Sequence, residues 1–140
     1  MRAPFKSIRT AGSALIESLL ALVVFSVGLL SLLMLLTSAL KQSDNARYRS
    51  EASLLASDLI GQMWSGDRTL QSLRQRFDLA SGAYQRWLVR VQSTLPGVTT
   101  DHNQPELLID DSRNITLTLR WQAPSDTEQH QLVVVTRLTD

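Results

Sequence analysis

From Ser18 to Leu40 the chain runs for 23 consecutive residues without Asp, Glu, Lys, Arg or His. No other feature constrains the fold as strongly. A helix of roughly 20 apolar residues is long enough to cross the hydrocarbon of a bilayer. Within lipid such a segment must satisfy its own backbone, which a helix does. The wider apolar stretch, Ser13 to Leu40, holds a single charge, Glu17. A carboxylate deep in a membrane costs about 2.5 kcal/mol or more, so its presence calls for a functional explanation.

The residues before Glu17 sharpen that reading. Met1 to Gly12 carries Arg2, Lys6 and Arg9 and no acidic residue. By the positive-inside tendency this leader stays cytoplasmic and the chain after Leu40 faces outward. The run Gly12-Ser13-Ala14-Leu15-Ile16-Glu17 then continues into Ser18-Leu19-Leu20-Ala21-Leu22-Val23-Val24-Phe25-Ser26-Val27-Gly28-Leu29-Leu30. This resembles the class III signal of type IV pilins, a short basic leader ending in Gly with Glu five residues after the cut. The wording is most similar to minor pilins of the PilV type, the type IV pilus modification proteins. The specific likeness covers roughly residues 9 to 40.

The resemblance implies cleavage between Gly12 and Ser13 by a prepilin peptidase, with N-methylation of Ser13. It also implies a role for Glu17 in docking subunits. In a fibre the hydrophobic helices bundle away from lipid and water, where a carboxylate must be paired. The expected cation is the new ammonium of Ser13, of the same or a neighbouring subunit. Two features depart from the major pilins: Ser13 stands where Phe is usual, and no Pro lies between Arg9 and Pro96. Both point to a minor subunit, and the second leaves no Pro kink to expect.

Composition narrows the rest. Without the three leader cations the chain has 11 Lys and Arg against 13 Asp and Glu, and Lys41 to Asp140 has 11 against 12. Such a near-neutral domain gives no electrostatic case for nucleic acid. Cysteine is absent, which excludes disulfides, thiolate catalysis and Cys-based zinc sites. Where many pilins close their C-terminal region with a disulfide, packing alone must serve here.

Three domains of the sequence are expected: a removed leader at 1–12, a transmembrane or fibre-core helix at 13–40, and a periplasmic headgroup at 41–140. The helix continues to about Trp64, since Lys41 to Trp64 has no Pro and only Gly61. Ala52, Leu55, Ala56, Leu59 and Met63 fall on one stripe at 3.6 residues per turn. A helix from Ser13 to Trp64 would be roughly 75–80 Å long. Asp67 is a candidate N-cap, with Leu70, Leu73 and Phe77 forming a short helix. Tyr84, Trp87, Leu88, Val91 and Leu95 make a second amphipathic set, stopped by Pro96-Gly97.

The C-terminal third changes period. Ile115, Leu117, Leu119 and Trp121 alternate with polar residues as a half-buried strand. Gln131 to Leu138 reads as another, apolar on both faces and therefore the more buried of the pair. Leu107 to Ile109 adds a third, joined through an Asp110–Asn114 turn. The polar segments Gly97–Glu106 and Gln122–Gln129 are natural places for partner contacts. The fold class is α+β: one long N-terminal helix packed on a small antiparallel sheet, with one or two short helices between.

Signs of catalysis are lacking. His102 and His130 read as isolated loop residues. Asp101 beside His102 and the pair Asp110-Asp111 have no spacing that specifies a metal. No nucleophile elbow, P-loop or dinucleotide fingerprint is present. The expectation is a structural, non-enzymatic chain with no cofactor and no metal. It would sit in the inner membrane with one pass and a periplasmic domain, then at the pilus, near its tip. The resemblance implies as partners the prepilin peptidase, other minor pilins and the major pilin, the inner-membrane assembly machinery and the lipid bilayer. It further implies initiation of pilus assembly, adhesion and twitching motility.

Three other readings compete. A minor pseudopilin of a type II secretion system uses the same leader and helix. A membrane-anchored binding domain that never polymerises would leave Gly12 uncleaved and Glu17 dispensable. An ordinary signal peptide has a core of about 7–15 apolar residues and a small-residue cleavage site. Thr37-Ser38-Ala39 resembles such a site, but the run before it is too long and contains Glu17.

Overall fold

The structure is a computed structural model that describes residues 11–124 and 126–139, with side chains from Ser13 onward. Arg2, Lys6 and Arg9, the cations of the expected leader, lie outside the described residues. Three helices and three strands follow in order: α1 (Ala11–Trp64), α2 (Leu70–Arg76), α3 (Gly82–Thr94), β1 (Glu106–Ile109), β2 (Asn114–Trp121) and β3 (His130–Arg137). The fold is α+β, as the sequence predicts. The chain divides at Leu40–Lys41 into two compact units, and α1 contributes residues to both.

The first unit is the apolar half of α1. It is rich in Leu, which loses little side-chain freedom in a helix, and has no Pro to interrupt it. The large apolar side chains from Leu15 to Leu40 are between 49% and 73% exposed, with no cover from the described residues.

The second unit builds its core on the other half of α1. Ala52, Ala56, Leu59 and Met63 are buried and Leu55 is half-buried, the stripe that the spacing predicts. Against it come Leu73 and Phe77 from α2, and Tyr84, Trp87, Val91 and Leu95 from α3 and its end. Ile115, Leu117, Leu119 and Trp121 supply the sheet's share. Trp87 Nε1 donates to the Leu55 carbonyl at 2.9 Å, so the largest core side chain also ties α3 to α1 by a polar bond.

Both short helices start on capping hydroxyls. Thr69 Oγ1 accepts from the Ser72 N–H, and Ser81 Oγ from the Tyr84 N–H. Asp67 is therefore not the N-cap. Its carboxylate accepts from the Thr69 N–H and hydroxyl, at 3.0 and 3.1 Å, and so fixes the residue that caps. These bonds hold the Asp67 carboxyl below its ordinary range. Beyond α3, Gly97 takes φ +75°, and a Cβ there would lie 3.3 Å from the Gln122 side chain. Backbone handedness and space both favour glycine at this stop.

The sheet has the order β1-β2-β3 and is antiparallel throughout. Its register pairs Leu107 with Leu117 and Leu117 with Val134, so one face carries all the buried strand residues save Thr118. The middle strand β2 is the buried one. β3 alternates half-buried and exposed along its whole length. This corrects the reading of β3 as the more buried strand. The strand lies at the sheet edge with one face covered, and Val133 and Val135 point outward, 48% and 68% exposed.

Two substitutions test this core. Leu59→Ala should lower stability of the full chain in detergent by ~2–5 kcal/mol. Gly61→Ala, at an exposed helix position with nothing within 4 Å of the new Cβ, should raise it by about 0.5–1 kcal/mol. Denaturant titration followed by tryptophan fluorescence reads both.

Candidate functional site

The first candidate is the N-terminal part of α1. Gly12 and Ser13 lie at the start of the described part of α1. Glu17 follows one turn after Ser13, and residues four apart share a helix face. Its side chain is exposed, and it makes no hydrogen bond or ion pair among the described residues.

The hydroxyls nearby behave differently. Ser18 donates to the Ala14 carbonyl at 2.8 Å and to that of Leu15 at 3.1 Å. Ser26, Ser31 and Thr37 donate to the carbonyls of Leu22, Val27 and Leu33 at 2.7, 2.9 and 2.9 Å. Each is thus satisfied inside the helix and adds little cost in an apolar surrounding. Glu17 cannot be satisfied this way, because a carboxylate only accepts and mid-helix N–H groups are already used. It is the one charged group of 13–40, and it needs a cation from elsewhere.

The second candidate lies in the 41–140 unit and was missed in the sequence. Asp126, in the β2–β3 loop, receives His130 Nε2 at 2.9 Å and Asn45 Nδ2 from α1 at 3.2 Å, both on Oδ2. Its Oδ1 accepts from the Glu128 N–H at 3.2 Å. His130 first of all, then Glu128 and Asn45, pull the Asp126 carboxyl down to about 2. His130 is therefore not an isolated loop histidine. It opens β3, stacks on Trp121 with centroids 6.0 Å apart, and pairs with Trp121 in the hairpin register. Asp126 and His130 are four residues apart, and that spacing was a usable signal. Asn45 lies 81 residues from Asp126, and nothing local announces it.

The remaining sequence candidates are not gathered into a centre. Asp101 and His102 are exposed in an irregular segment. Asp110 caps its own turn, accepting from the N–H groups of Ser112 and Asn114 and from the Asn114 side chain. Asp111 is paired with Arg74 at 2.9 Å. Among the described residues no three His, Asp or Glu side chains are grouped as metal ligands would be.

A long apolar N-terminal helix followed by a small antiparallel sheet is a pilin-like architecture. That helix is long and apolar enough to act as a membrane anchor or signal. No protein-family model, curated protein or solved structure matches the chain.

The Asp126 cluster makes a pH prediction. A carboxyl depressed from 3.8 to about 2 contributes stability that is fully present above pH 3.8 and is lost as pH falls towards 2. Asp126→Asn should destabilise the chain at neutral pH and flatten the stability profile between those values. Unfolding at a series of pH values, for both chains, reads the difference.

Proposed function

We propose that this chain is a minor pilin of a type IV pilus, a structural, non-enzymatic subunit that helps initiate pilus assembly. The observation that carries the reading is Glu17, a lone exposed carboxylate one turn after Ser13 on an otherwise apolar helix. The pilin-like α+β fold behind that helix supports it.

The mechanism follows from charge. Removal of residues 1–12 by a prepilin peptidase turns the Ser13 amide into an ammonium. An ammonium at the N-terminus and a carboxylate one turn later then present opposite charges on one apolar surface. Each is costly to bury alone, and the pair recovers that cost when they meet in a low-dielectric bundle. A neighbouring subunit docks in the register that brings its own pair into reach, so charge sets axial position while apolar area supplies adhesion. N-methylation of Ser13 retains the positive charge. The inner membrane holds the unassembled chain, with 41–140 in the periplasm where other minor pilins and the major pilin meet it. Adhesion and twitching motility follow from assembly, and the chain is a substrate of the peptidase.

The test is the intact mass and N-terminal residue of the chain from cells with and without their prepilin peptidase. A chain beginning at N-methylated Ser13, seen only with the peptidase, is the expected result. An unprocessed chain, or one cut after Ala39, would sink the proposal. Glu17→Ala should then leave processing intact while pilus number drops about tenfold or more. That figure corresponds to losing one buried charge pair of roughly 1.4 kcal/mol or more. Sheared-fibre yield measures it, and an unchanged yield would favour a membrane-anchored domain that does not polymerise.

A further inference from the structure

The two edges of the three-stranded sheet are finished differently. On the β1 side the Asp110 N–H bonds the Asn114 carbonyl, so Leu108 and Glu106 carry the next bonds to β2, while Pro105, Leu107 and Ile109 turn theirs outward. Two of the three outward carbonyls are taken by side chains: Tyr84 Oη donates to Pro105 at 3.2 Å and Arg74 Nη2 to Ile109 at 3.1 Å. Pro105 has no N–H to offer, and β1 is four residues long. Short length, proline and covering side chains close an edge against stray pairing.

The β3 side has none of these devices. The strand is eight residues long and holds no Pro and no Lys. The Leu138 N–H bonds the Arg113 carbonyl at 3.1 Å, and the same register gives the bonds to β2 to Thr136, Val134 and Leu132. Gln131, Val133, Val135 and Arg137 therefore turn their N–H and C=O groups to the free edge, where none has a hydrogen-bond partner among the described residues. Their side chains are all exposed. Arg137 is the one permanent charge of β3 and makes no ion pair among the described residues. Asp110, which feels that charge, is spent on its own turn.

We propose that the β3 edge receives a strand from another polypeptide, an extended segment with β-branched residues opposite Val133 and Val135 and a carboxylate opposite Arg137. Such a strand supplies the backbone bonds that the fold leaves unmade at four residues of β3, and it lengthens the sheet to four strands. Antiparallel pairing is the more stable arrangement per residue. A second copy of this chain is the poorer match. Its own β3 carries no acidic residue to meet Arg137, and its β1 edge is closed by Tyr84 and Arg74. The inference does not depend on whether the chain enters a fibre.

The test is a titration of the ¹⁵N-labelled full chain in micelles with the peptide acetyl-Glu-Thr-Val-Thr-Val-Thr-Thr-amide. In antiparallel register this peptide sets Glu opposite Arg137 and its two Val opposite Val135 and Val133. Binding should shift the amide signals of Val133, Val135 and Arg137 saturably and slow their exchange with water. Leu132, Val134 and Thr136, already bonded to β2, should change little. The same peptide N-methylated at both Val loses two backbone donors, keeps every side chain, and should bind about tenfold or more weakly. With Lys in place of Glu it should bind about two- to fivefold more weakly. Val135→Pro, which removes a free-edge N–H and no bond to β2, should bring the unmodified peptide down to the N-methylated level. Equal affinity for the N-methylated peptide would overturn the proposal, being the mark of apolar adhesion to the outer face. So would equal affinity for the Lys peptide, or an unresponsive edge. Edge amides already protected without peptide, in a chain that sediments as a dimer, would overturn it in favour of a second copy. The peptide series on the unaltered chain decides the matter even if Val135→Pro loosens the hairpin.

Discussion

The bond that ties α3 to the buried stripe of α1 anchors the core of the 41–140 unit. Small side chains on a helix face let neighbours reach its backbone, and Trp87 Nε1 does so at the Leu55 carbonyl. A carbonyl has two lone pairs, so it can serve the helix ladder and the indole together. Leu59 and Met63, one and two turns on, belong to the same buried cluster as residues of α2 and β2. The same helix has no such face in 13–40, where apolar side chains surround it on all sides. One helix therefore carries two burial patterns, a stripe that meets its own domain and a continuous apolar coat left uncovered by the described residues.

Much of this was legible because helical and strand periods are local. The stripe from Ala52 to Met63, the Tyr84–Leu95 set and the alternation from Ile115 to Trp121 all appear in the structure as the spacing predicts. β3 was misread for a physical reason. A run such as Leu132-Val133-Val134-Val135 shows that a segment tolerates burial on both faces, while burial itself depends on what covers each face. Here nothing among the described residues covers the outer one. Asp67 was misread because both Asp67 and Thr69 are able to cap, and only the backbone path decides between them. The Asn45–Asp126 bond was out of reach altogether, since it joins positions whose proximity is a product of the finished fold.

The candidate site at the N-terminus was legible for the opposite reason. Its meaning lies in chemistry along one segment: a basic leader, a glycine, and a carboxylate five residues on in an apolar helix. No tertiary contact is needed to notice that Glu17 is out of place. The structure adds that Ser18, Ser26, Ser31 and Thr37 bond within the helix, whereas Glu17 makes no bond among the described residues.

The absence of cysteine throws the closing of the C-terminal region onto polar clamps and a single buried anchor. Leu138 is fully buried, and its N–H donates to the Arg113 carbonyl at 3.1 Å, tying the end of β3 to the β1–β2 turn. Arg68 reaches the Thr139 carbonyl at 3.0 Å, and Asp126 fastens the β2–β3 loop to α1. A disulfide acts chiefly by restricting the unfolded chain and so holds under any condition that leaves it oxidised. These bonds act only in the folded state, and those at Asp126 depend on its ionisation. The hairpin is thereby held firmly at neutral pH while its far edge and outer face, with Val133 and Val135, remain open to another chain.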